Sequence, residues 1–241
     1  MKKIFSLFLA AIFSFTAFAA NANDPKADSA AEVVCGNARF TVLTDRLIRM
    51  EWDEKGVFED NASLAIINRK LPVPKFKVSR TGGGVTVTTS SVVLKYNGEG
   101  KFSPENLSVT FKMNGRKMCW KPGMDPGANL MGTTRTLDGC LGFKKISSRD
   151  NYMEEGILSR DGWAIVDESE RHLLVKDGSD WGEWVLERPS GDRQDLYIFA
   201  YGHDYTAALS DFTKVAGKIP LPPKYTLGYW WSRYWAYTDD E

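Results

Sequence analysis

The sequence predicts a mainly β protein, in which a large antiparallel β-sandwich carries one C-terminal helix and is followed by the start of a β/α repeat. Short segments between residues 35 and 201 alternate apolar and polar residues, the pattern of strands with one buried face. One segment near residue 210 has its apolar residues at helical spacing instead. A proline-rich segment then leads into an aromatic C-terminal stretch. These observations predict a sandwich, a helix and the beginning of a second unit, in that order.

The predicted strands are short and are separated by turn residues. Residues 40–42 and 48–52 alternate apolar and polar side chains on either side of a turn at Thr44 and Asp45, which predicts a hairpin with one buried face. Clusters of glycine, asparagine, serine and proline separate several of the later strands. These later strands cover residues 85–87, 92–94, 107–113, 163–166, 173–175, 184–186 and 196–201.

A single helix is predicted directly before the proline-rich segment. Asp204 can accept hydrogen bonds from the free amides of the first turn, and Gly217 can supply the left-handed residue that ends a helix. The apolar residues between them fall three or four apart. They are Tyr205, Ala208, Leu209, Phe212, Val215 and Ala216.

The C-terminal stretch reads as a linker followed by a new unit. Pro220, Pro222 and Pro223 lack backbone donors and hold the chain extended, which is typical of a linker. Residues 226–232, TLGYWWS, form an apolar run that suits a strand buried on both faces, as in a parallel sheet. Thr238 and Glu241 have the spacing of a capping box at a helix start. We therefore expect the chain to be cut short after one strand and a helix start.

That C-terminal stretch resembles the entry to the catalytic barrel of glycoside hydrolase family 31, the α-glucosidase and α-xylosidase family. The residues 129–139, NLMGTTRTLDG, and 156–169, GILSRDGWAIVDES, also resemble the N-terminal domain of bacterial members. The resemblance therefore covers most of the chain after its first residues. At the C-terminus it is carried by Leu221-Pro222-Pro223, Leu227-Gly228-Tyr229, Ser232-Arg233-Tyr234, Tyr237 and Asp239-Asp240-Glu241.

The resemblance implies a domain order for the chain. Residues 35–217 would form the galactose-mutarotase-like sandwich that precedes the barrel in this family. Residues 218–225 would be the linker, and residues 226–241 the first strand and helix start of a truncated (β/α)8 barrel. From the residues themselves, 1–22 are predicted to be a signal peptide and 23–34 a disordered N-terminus.

The resemblance also implies a reaction, the hydrolysis of α-glycosides with retention of configuration. Such enzymes hold a nucleophile and an acid/base, two carboxyl groups about 5 to 5.5 Å apart. In the family both are aspartates on later strands of the barrel, beyond Glu241. No catalytic residue is therefore expected within this chain, and the 241-residue polypeptide is expected to be inactive by itself.

Substrate-binding candidates follow the predicted barrel strand, because active sites of such barrels lie at the C-terminal ends of their strands. Aromatic rings can stack on sugar rings and a guanidinium can bind hydroxyl groups. Packing of the rings in a core, or an ion pair of the arginine with a following aspartate, are the alternatives. The candidates are Trp231, Arg233, Tyr234 and Trp235.

A second pair of candidates, Asp161 and Trp163, lies in the sequence SRDGW of the predicted sandwich, where family members extend a loop over the sugar pocket. Arg135 and Asp138 in TTRTLDG are loop candidates of the same kind. The Asp-Gly dipeptides in both segments are also common turn residues, so turn formation is the competing interpretation.

Composition and the N-terminus limit the partners of the protein. The chain is 43% hydrophobic and carries 31 basic and 31 acidic residues, so no basic excess favours nucleic acid. Lys2 and Lys3, the apolar residues 4–18 and several small residues predict a cleaved secretory signal. We expect a periplasmic or secreted protein whose partner is a carbohydrate, with no membrane anchor in the mature chain.

Cysteines and histidines predict neither a metal site nor a cofactor. The cysteines, Cys35, Cys119 and Cys140, are odd in number and cannot all pair within the chain. Two alternatives remain open: a disulfide between Cys119 and Cys140, or three free and buried thiols. His172 and His203 are far in sequence from the cysteines and from each other.

Two other classes of function compete with the glycosidase fragment. An independent carbohydrate-binding sandwich would bind sugar without hydrolysis, and it leaves the aromatic C-terminus unexplained. A structural or adhesion sandwich would do neither, and apart from the family resemblance the sequence contains nothing against it.

Overall fold

The structure, a computed structural model, describes residues 23–132, 140–141, 144–145, 155–175, 184–229 and 238–239. These residues are mainly β, with antiparallel sheets and one α-helix, as predicted. The helix is α1 (Tyr205–Val215), and short 3-10 segments cover Ser29–Ala31 and Lys224–Leu227. The strands are β1 (Glu32–Cys35), β2 (Ala38–Val42), β3 (Leu47–Asp53), β4 (Ala62–Ser63), β5 (Lys77–Thr81), β6 (Gly84–Thr88), β7 (Val92–Tyr96), β8 (Leu107–Met113), β9 (Arg116–Trp120), β10 (Cys140–Leu141), β11 (Lys144–Lys145), β12 (Ala164–Asp167), β13 (Leu173–Leu174), β14 (Val185–Leu186) and β15 (Arg193–Phe199).

Two five-stranded antiparallel sheets form the sandwich. The first has the order β1-β2-β3-β15-β12 and the second the order β5-β6-β7-β8-β9. The predicted first hairpin is the β2–β3 pair, in which Val42 lies opposite Ile48. The second sheet is a meander, so its order follows the chain, whereas β15 joins the first sheet from far along the sequence.

The core lies between the two sheets and consists of the apolar alternate residues of both. An aromatic group of Phe40, Tyr96 and Phe102 lies at its centre, with ring centroids 5.4 to 5.7 Å apart. Offset and edge-on contacts of this kind add to the free energy gained from burying the rings. Further buried members of this core include Met50, Val87, Leu94, Val109, Phe111, Trp120 and Ile198.

A third layer covers the opposite face of the first sheet. The apolar face of α1 packs there, with Ala208 and Val215 buried against Tyr197 and Phe199. The Asp204 carboxylate accepts a hydrogen bond from the Ala207 amide, and Gly217 has φ +89°, so both predicted helix ends are confirmed. The first sheet is therefore buried on both faces.

Burial on both faces corrects the prediction that the first hairpin has a polar face in solvent. Arg39, Arg49 and Glu51 occupy the polar alternate positions of β2 and β3, and all three are buried. Their charges are neutralised by one another and by Asp195 of β15, through arginine–carboxylate pairs of 2.7 to 3.0 Å. Ion pairing is what allows charged side chains to be placed in an interior.

The N-terminal residues correct a second prediction. Residues 23–34 were expected to be disordered, but β1 begins at Glu32 and pairs with β2. Before it, the carbonyl of Asp24 accepts hydrogen bonds from the amides of Arg69 and Lys70, and the Arg69 guanidinium donates to Pro25 O. These long-range bonds tie down a segment whose polar composition has no strand or helix period.

The C-terminal stretch corrects a third prediction. Of the strand expected at 226–232, the described residues up to 229 do not form a strand, and Lys224–Leu227 is a 3-10 turn. The Thr226 amide and hydroxyl both donate to Pro223 O, at 2.9 and 2.7 Å. A strand needs a neighbouring strand for its backbone groups, and none of the described strands pairs with this segment.

The thiols are free where the structure describes them. Cys119 is exposed and unbridged, and Cys35 is buried with its thiol 3.2 Å from Gly83 O. The side chain of Cys140 lies outside the described residues. Because Cys119 is a free thiol, the structure does not bear out a disulfide at this residue.

Candidate functional site

A cleft of about 770 Å³ opens at one end of the sandwich. Its walls come from the β2–β3, β6–β7 and β8–β9 turns and from the loop between β15 and α1. Its size lies in the range of small-molecule sites in proteins. The polar lining residues include Arg46, Ser90, Lys112, Asn114, Lys117 and His203, and the apolar ones include Val92, Phe111, Met113 and Ala200.

Hydrogen bonds hold the β2–β3 and β6–β7 turns together at the cleft. The Asp45 carboxylate accepts from the Ser90 and Ser91 hydroxyls at 2.8 and 2.6 Å, and Thr89 Oγ1 donates to Asp45 O at 2.6 Å. Partial burial raises the pKa of Asp45, but the two serine hydrogen bonds and the adjacent Arg46 lower it, so the pKa lies below its ordinary value. Asp45 is therefore an ionised structural residue of this wall.

Arg46 connects the cleft to the start of α1. Its Nη1 donates to Asp204 Oδ2 at 2.8 Å, and its guanidinium lies 5.7 Å from the centre of the Tyr201 ring. The Tyr201 hydroxyl donates to Asp211 Oδ2 of the helix at 2.5 Å. Burial and this carboxylate raise the pKa of Tyr201, so the hydroxyl keeps its proton. The helix is consequently attached to the rest of the cleft by two contacts, that of Arg46 with Asp204 and that of Tyr201 with Asp211.

His203 joins three segments at the mouth of the cleft. Its Nε2 is 2.8 Å from Arg160 O, a pure acceptor, so Nε2 carries the hydrogen. Its Nδ1 lies 3.4 Å from Asn114 Nδ2 in the β8–β9 turn. The loop containing SRDGW is thereby attached to the cleft, and the Gly202 amide adds a bond to Gly162 O at 2.9 Å.

Asp161 and Trp163, predicted to bind substrate, lie beside the cleft but do not line it. The Asp161 carboxylate accepts from the Ala128 amide at 3.0 Å, and the Asp161 amide donates to Ser159 Oγ at 3.0 Å. These bonds are those of a turn residue. Trp163 is 5% exposed and packs on Trp120 with ring centroids 6.2 Å apart. The structure thus places its indole in the core and leaves no open face for a sugar ring.

The remaining predicted substrate-binding residues lie outside the described residues. They are Trp231, Arg233, Tyr234 and Trp235, together with the loop candidates Arg135 and Asp138. Their roles stay predictions.

A pair of buried carboxylates, Glu51 and Asp195, has oppositely shifted pKa values, as acid/base pairs in active sites often do. Burial raises the pKa of both, and at Asp195 the adjacent Arg49 outweighs burial, so the pKa of Asp195 falls well below its usual range while that of Glu51 is raised. Each carboxylate is bound by guanidinium groups, Glu51 by Arg39 and Arg49, and Asp195 by Arg49 and Arg188. With their oxygens occupied in this way, both act as structural residues.

No group of three or more histidine, cysteine, aspartate or glutamate side chains that could hold a metal ion occurs among the described residues. Within the same residues, no helix is both long and apolar enough to cross a membrane.

Comparison with known proteins gives structural matches alone. No protein-family model matches the sequence, and no curated protein matches it. Two solved structures of the GH31 dextranase of Flavobacterium johnsoniae, one with glucose and one of a mutant with isomaltotriose, match 80% of this chain at 15% identity, with TM-scores of 0.47 and 0.48. The chain spans 27% of the length of those structures. Similarity at this level does not transfer an activity or a site to this chain.

The residues lining the cleft were missed by sequence reasoning, although one signal for them is present. Asn114-Gly115 is a typical two-residue hairpin turn between alternating segments. Such a turn places Met113 opposite Arg116 and Lys112 opposite Lys117, and the structure has this register. The other walls come from turns distant in sequence, for which no local pattern exists.

Proposed function

We propose that this chain is the N-terminal part of a secreted glycoside hydrolase of family 31, a retaining enzyme of the α-glucosidase or α-xylosidase type that acts on α-linked oligosaccharides. The order of structural and sequence features along the chain supports this proposal. A β-sandwich ends in a capped helix, α1, which is followed by a proline-rich segment and by the sequence LGYWWSRY. The family resemblance joins these features in the same order.

In this proposal the sandwich supports the barrel and supplies residues near its rim. Trp231, Trp235 and Tyr234 would stack on sugar rings, and Arg233 would bind hydroxyl groups. Asp161 would act by shaping the loop beside the cleft, since its carboxylate is bound to the Ala128 amide. Secretion to the periplasm or the medium follows from the predicted signal at residues 1–22.

The 241-residue chain is proposed to be inactive by itself. Retaining hydrolysis needs a nucleophile and an acid/base that can both reach the glycosidic bond. Among the described residues, the buried pair Glu51 and Asp195 is bound by arginines and is not free for either role. The catalytic carboxyl groups would come from the barrel.

The test compares this chain with the product of the same reading frame extended downstream of Glu241. Both are assayed with aryl α-glucosides and α-xylosides, and the anomer released first is identified by proton NMR. The extended product should release the α-anomer, and the 241-residue chain should release no sugar. Hydrolysis by the 241-residue chain itself, or a stop codon directly after Glu241, would contradict the proposal.

A non-catalytic carbohydrate-binding sandwich is the second candidate, and the cleft of about 770 Å³ favours it. It requires that the 241-residue chain bind an oligosaccharide without hydrolysing it. Titration with isomaltose and maltose, monitored by tryptophan fluorescence, distinguishes the two candidates. The second candidate predicts binding by the 241-residue chain, whereas the first places most sugar contacts in the barrel.

A further inference from the structure

Two lysines face each other at the cleft. Lys112 of β8 and Lys117 of β9 are direct partners in the antiparallel register, and both line the cleft. Residues directly opposite in such a pair point to the same face, with Cβ atoms about 4.5 to 5.5 Å apart. The two lysine side chains therefore leave the same face of the sheet side by side.

This arrangement of two like charges is unfavourable by itself. Like charges directly opposite on a sheet destabilise it. Both lysines are exposed, and no ion pair or hydrogen bond joins either of them to another residue in the described part of the chain. By contrast, Arg46 in the same cleft is paired with Asp204 at 2.8 Å.

The cleft consequently carries an excess of positive charge, although the chain as a whole has a net charge of zero. Among the described residues, its charged lining residues are Arg46, Lys112, Lys117 and Asp204, and the ionised Asp45 lies in the same wall behind Ser90 and Ser91. The Arg46–Asp204 pair cancels, and the two lysine charges exceed the single negative charge of Asp45. A cleft with charge of one sign and apolar walls concentrates small ions of the opposite sign.

We propose that the cleft binds the anionic group of a small ligand, held between the ammonium groups of Lys112 and Lys117. The exposed Asn114 amide can donate a further hydrogen bond, and the half-buried Met113 side chain offers an apolar contact for the carbon skeleton of the ligand. The ligand class we assign is an acidic saccharide, one that carries a carboxylate or a sulfate. Its saccharide part rests on the proposed function, whereas its anionic part rests on the lysine pair alone.

A purely structural role for the lysines is the competing account. β9 is an edge strand of its sheet, and lysines on edge strands hinder pairing with other chains. That account concerns Lys117 and predicts no ligand, so binding of a small anion separates the two accounts.

The experiment uses the mature chain from residue 23 to Glu241 and three probes: methyl α-D-glucuronide, methyl α-D-glucoside and inorganic sulfate. Binding is followed by changes in NMR amide shifts at low and high salt. The test variant is Lys112→Gln with Lys117→Gln. The control is Lys95→Gln, an exposed lysine of β7 that lies opposite Ser108 and lines another cleft.

The glucuronide should bind more tightly than the glucoside, and salt should weaken its binding. The double variant should lose at least about tenfold in affinity while Lys95→Gln loses none. Equal affinity for glucuronide and sulfate would retain the anion site and overturn its saccharide part. Glucuronide binding unchanged in the double variant, or absent from the wild type, would overturn the proposal even if the extended product proves to be an active glycosidase.

Discussion

At the scale of single residues, the interior of this sandwich is unusual for the charges it holds. Arg49 is 1% exposed, and its guanidinium contacts Asp195 and Glu51 at 2.7 and 3.0 Å. A second buried arginine, Arg39, is bound by Glu51 through Nε at 2.7 Å. The net stabilisation from a buried ion pair is small, whereas the loss of one partner leaves an uncompensated buried charge and destabilises the protein strongly. The network therefore specifies how the third layer meets the first sheet.

Glu168 is the exception in this network. It has no exposed surface, and neither carboxyl oxygen has a hydrogen-bond partner among the described residues. Arg171 Nε lies 3.9 Å from Oε1, and Arg188 and Asp195 are the other charges that act on it. Burial raises the pKa of Glu168 above its ordinary value, although the nearby Ser63 hydroxyl acts in the opposite direction.

We predict that Glu168→Gln stabilises the protein at neutral pH. Because the pKa of Glu168 is higher in the folded state, its contribution to stability is complete below the pKa of the unfolded chain, about 4.3, and is lost as the pH rises through the folded pKa. The variant cannot ionise, so its advantage over the wild type should be larger at pH 7.5 than at pH 4. Urea unfolding at both pH values measures it.

The control for this experiment is Glu170→Gln, at an exposed neighbouring glutamate. An advantage for Glu168→Gln that is equal at both pH values, or that grows on acidification, would contradict the assignment of a buried, poorly compensated carboxyl group.

At the scale of elements, turns and caps determine how the cleft is built. The β8–β9 turn at Asn114-Gly115 has positive φ at both residues, +52° and +77°, which sets the lysine register. The start of α1 is set by Asp204, which caps the Ala207 amide and also pairs with Arg46. One side chain therefore connects helix formation to the cleft wall.

The two roles of Asp204 can be separated by substitution. Asp204→Ala removes both the cap and the ion pair and should lower the free energy of unfolding. Asp204→Asn retains a good cap and loses only the exposed ion pair, so its loss should be the smaller of the two. Chemical denaturation at low and high salt gives both values. Equal losses in the two variants would show that the cap contributes nothing.

At the scale of the whole molecule, the C-terminal segment differs from the packed sandwich. Between residues 219 and 229 the apolar side chains lie in solvent. Their exposed fractions are Ile219 83%, Leu221 96%, Tyr225 73%, Leu227 77% and Tyr229 92%. Exposed apolar residues in such number typically mark a surface that packs on another unit.

We predict that the 241-residue chain associates through this segment. Light scattering should show a mass that rises with concentration, because association removes these side chains from water. Replacing Leu221, Leu227 and Tyr229 together with serine should abolish the rise. Leu64→Ser, at a similarly exposed leucine outside the segment, should not. A monodisperse wild-type monomer would contradict the prediction.

The local elements of this fold were predictable from sequence because each depends on nearby residues. The alternation in residues 40–42 and 48–52 and the turn beside Asp45 depend only on residues close together in sequence. The same holds for the cap of α1. The strand expected at 226–232 was wrong for its described residues, because pairing depends on a partner that no local pattern supplies. Asp161 illustrates the same limit at a single residue, since its amide partner Ala128 is 33 residues away.

The sequence by itself determined the class of the protein: alternating short strands and a capped helix follow from hydrophobic period and from the backbone geometry of glycine and aspartate. Only the tertiary structure decided that Arg49 and Glu51 face a third layer instead of solvent, that Trp163 is a core residue, and that Lys112 and Lys117 share a cleft with Arg46. Alternation shows which residues share a face of a strand. What covers that face depends on segments brought together from far along the chain, through the packing free energy of the whole.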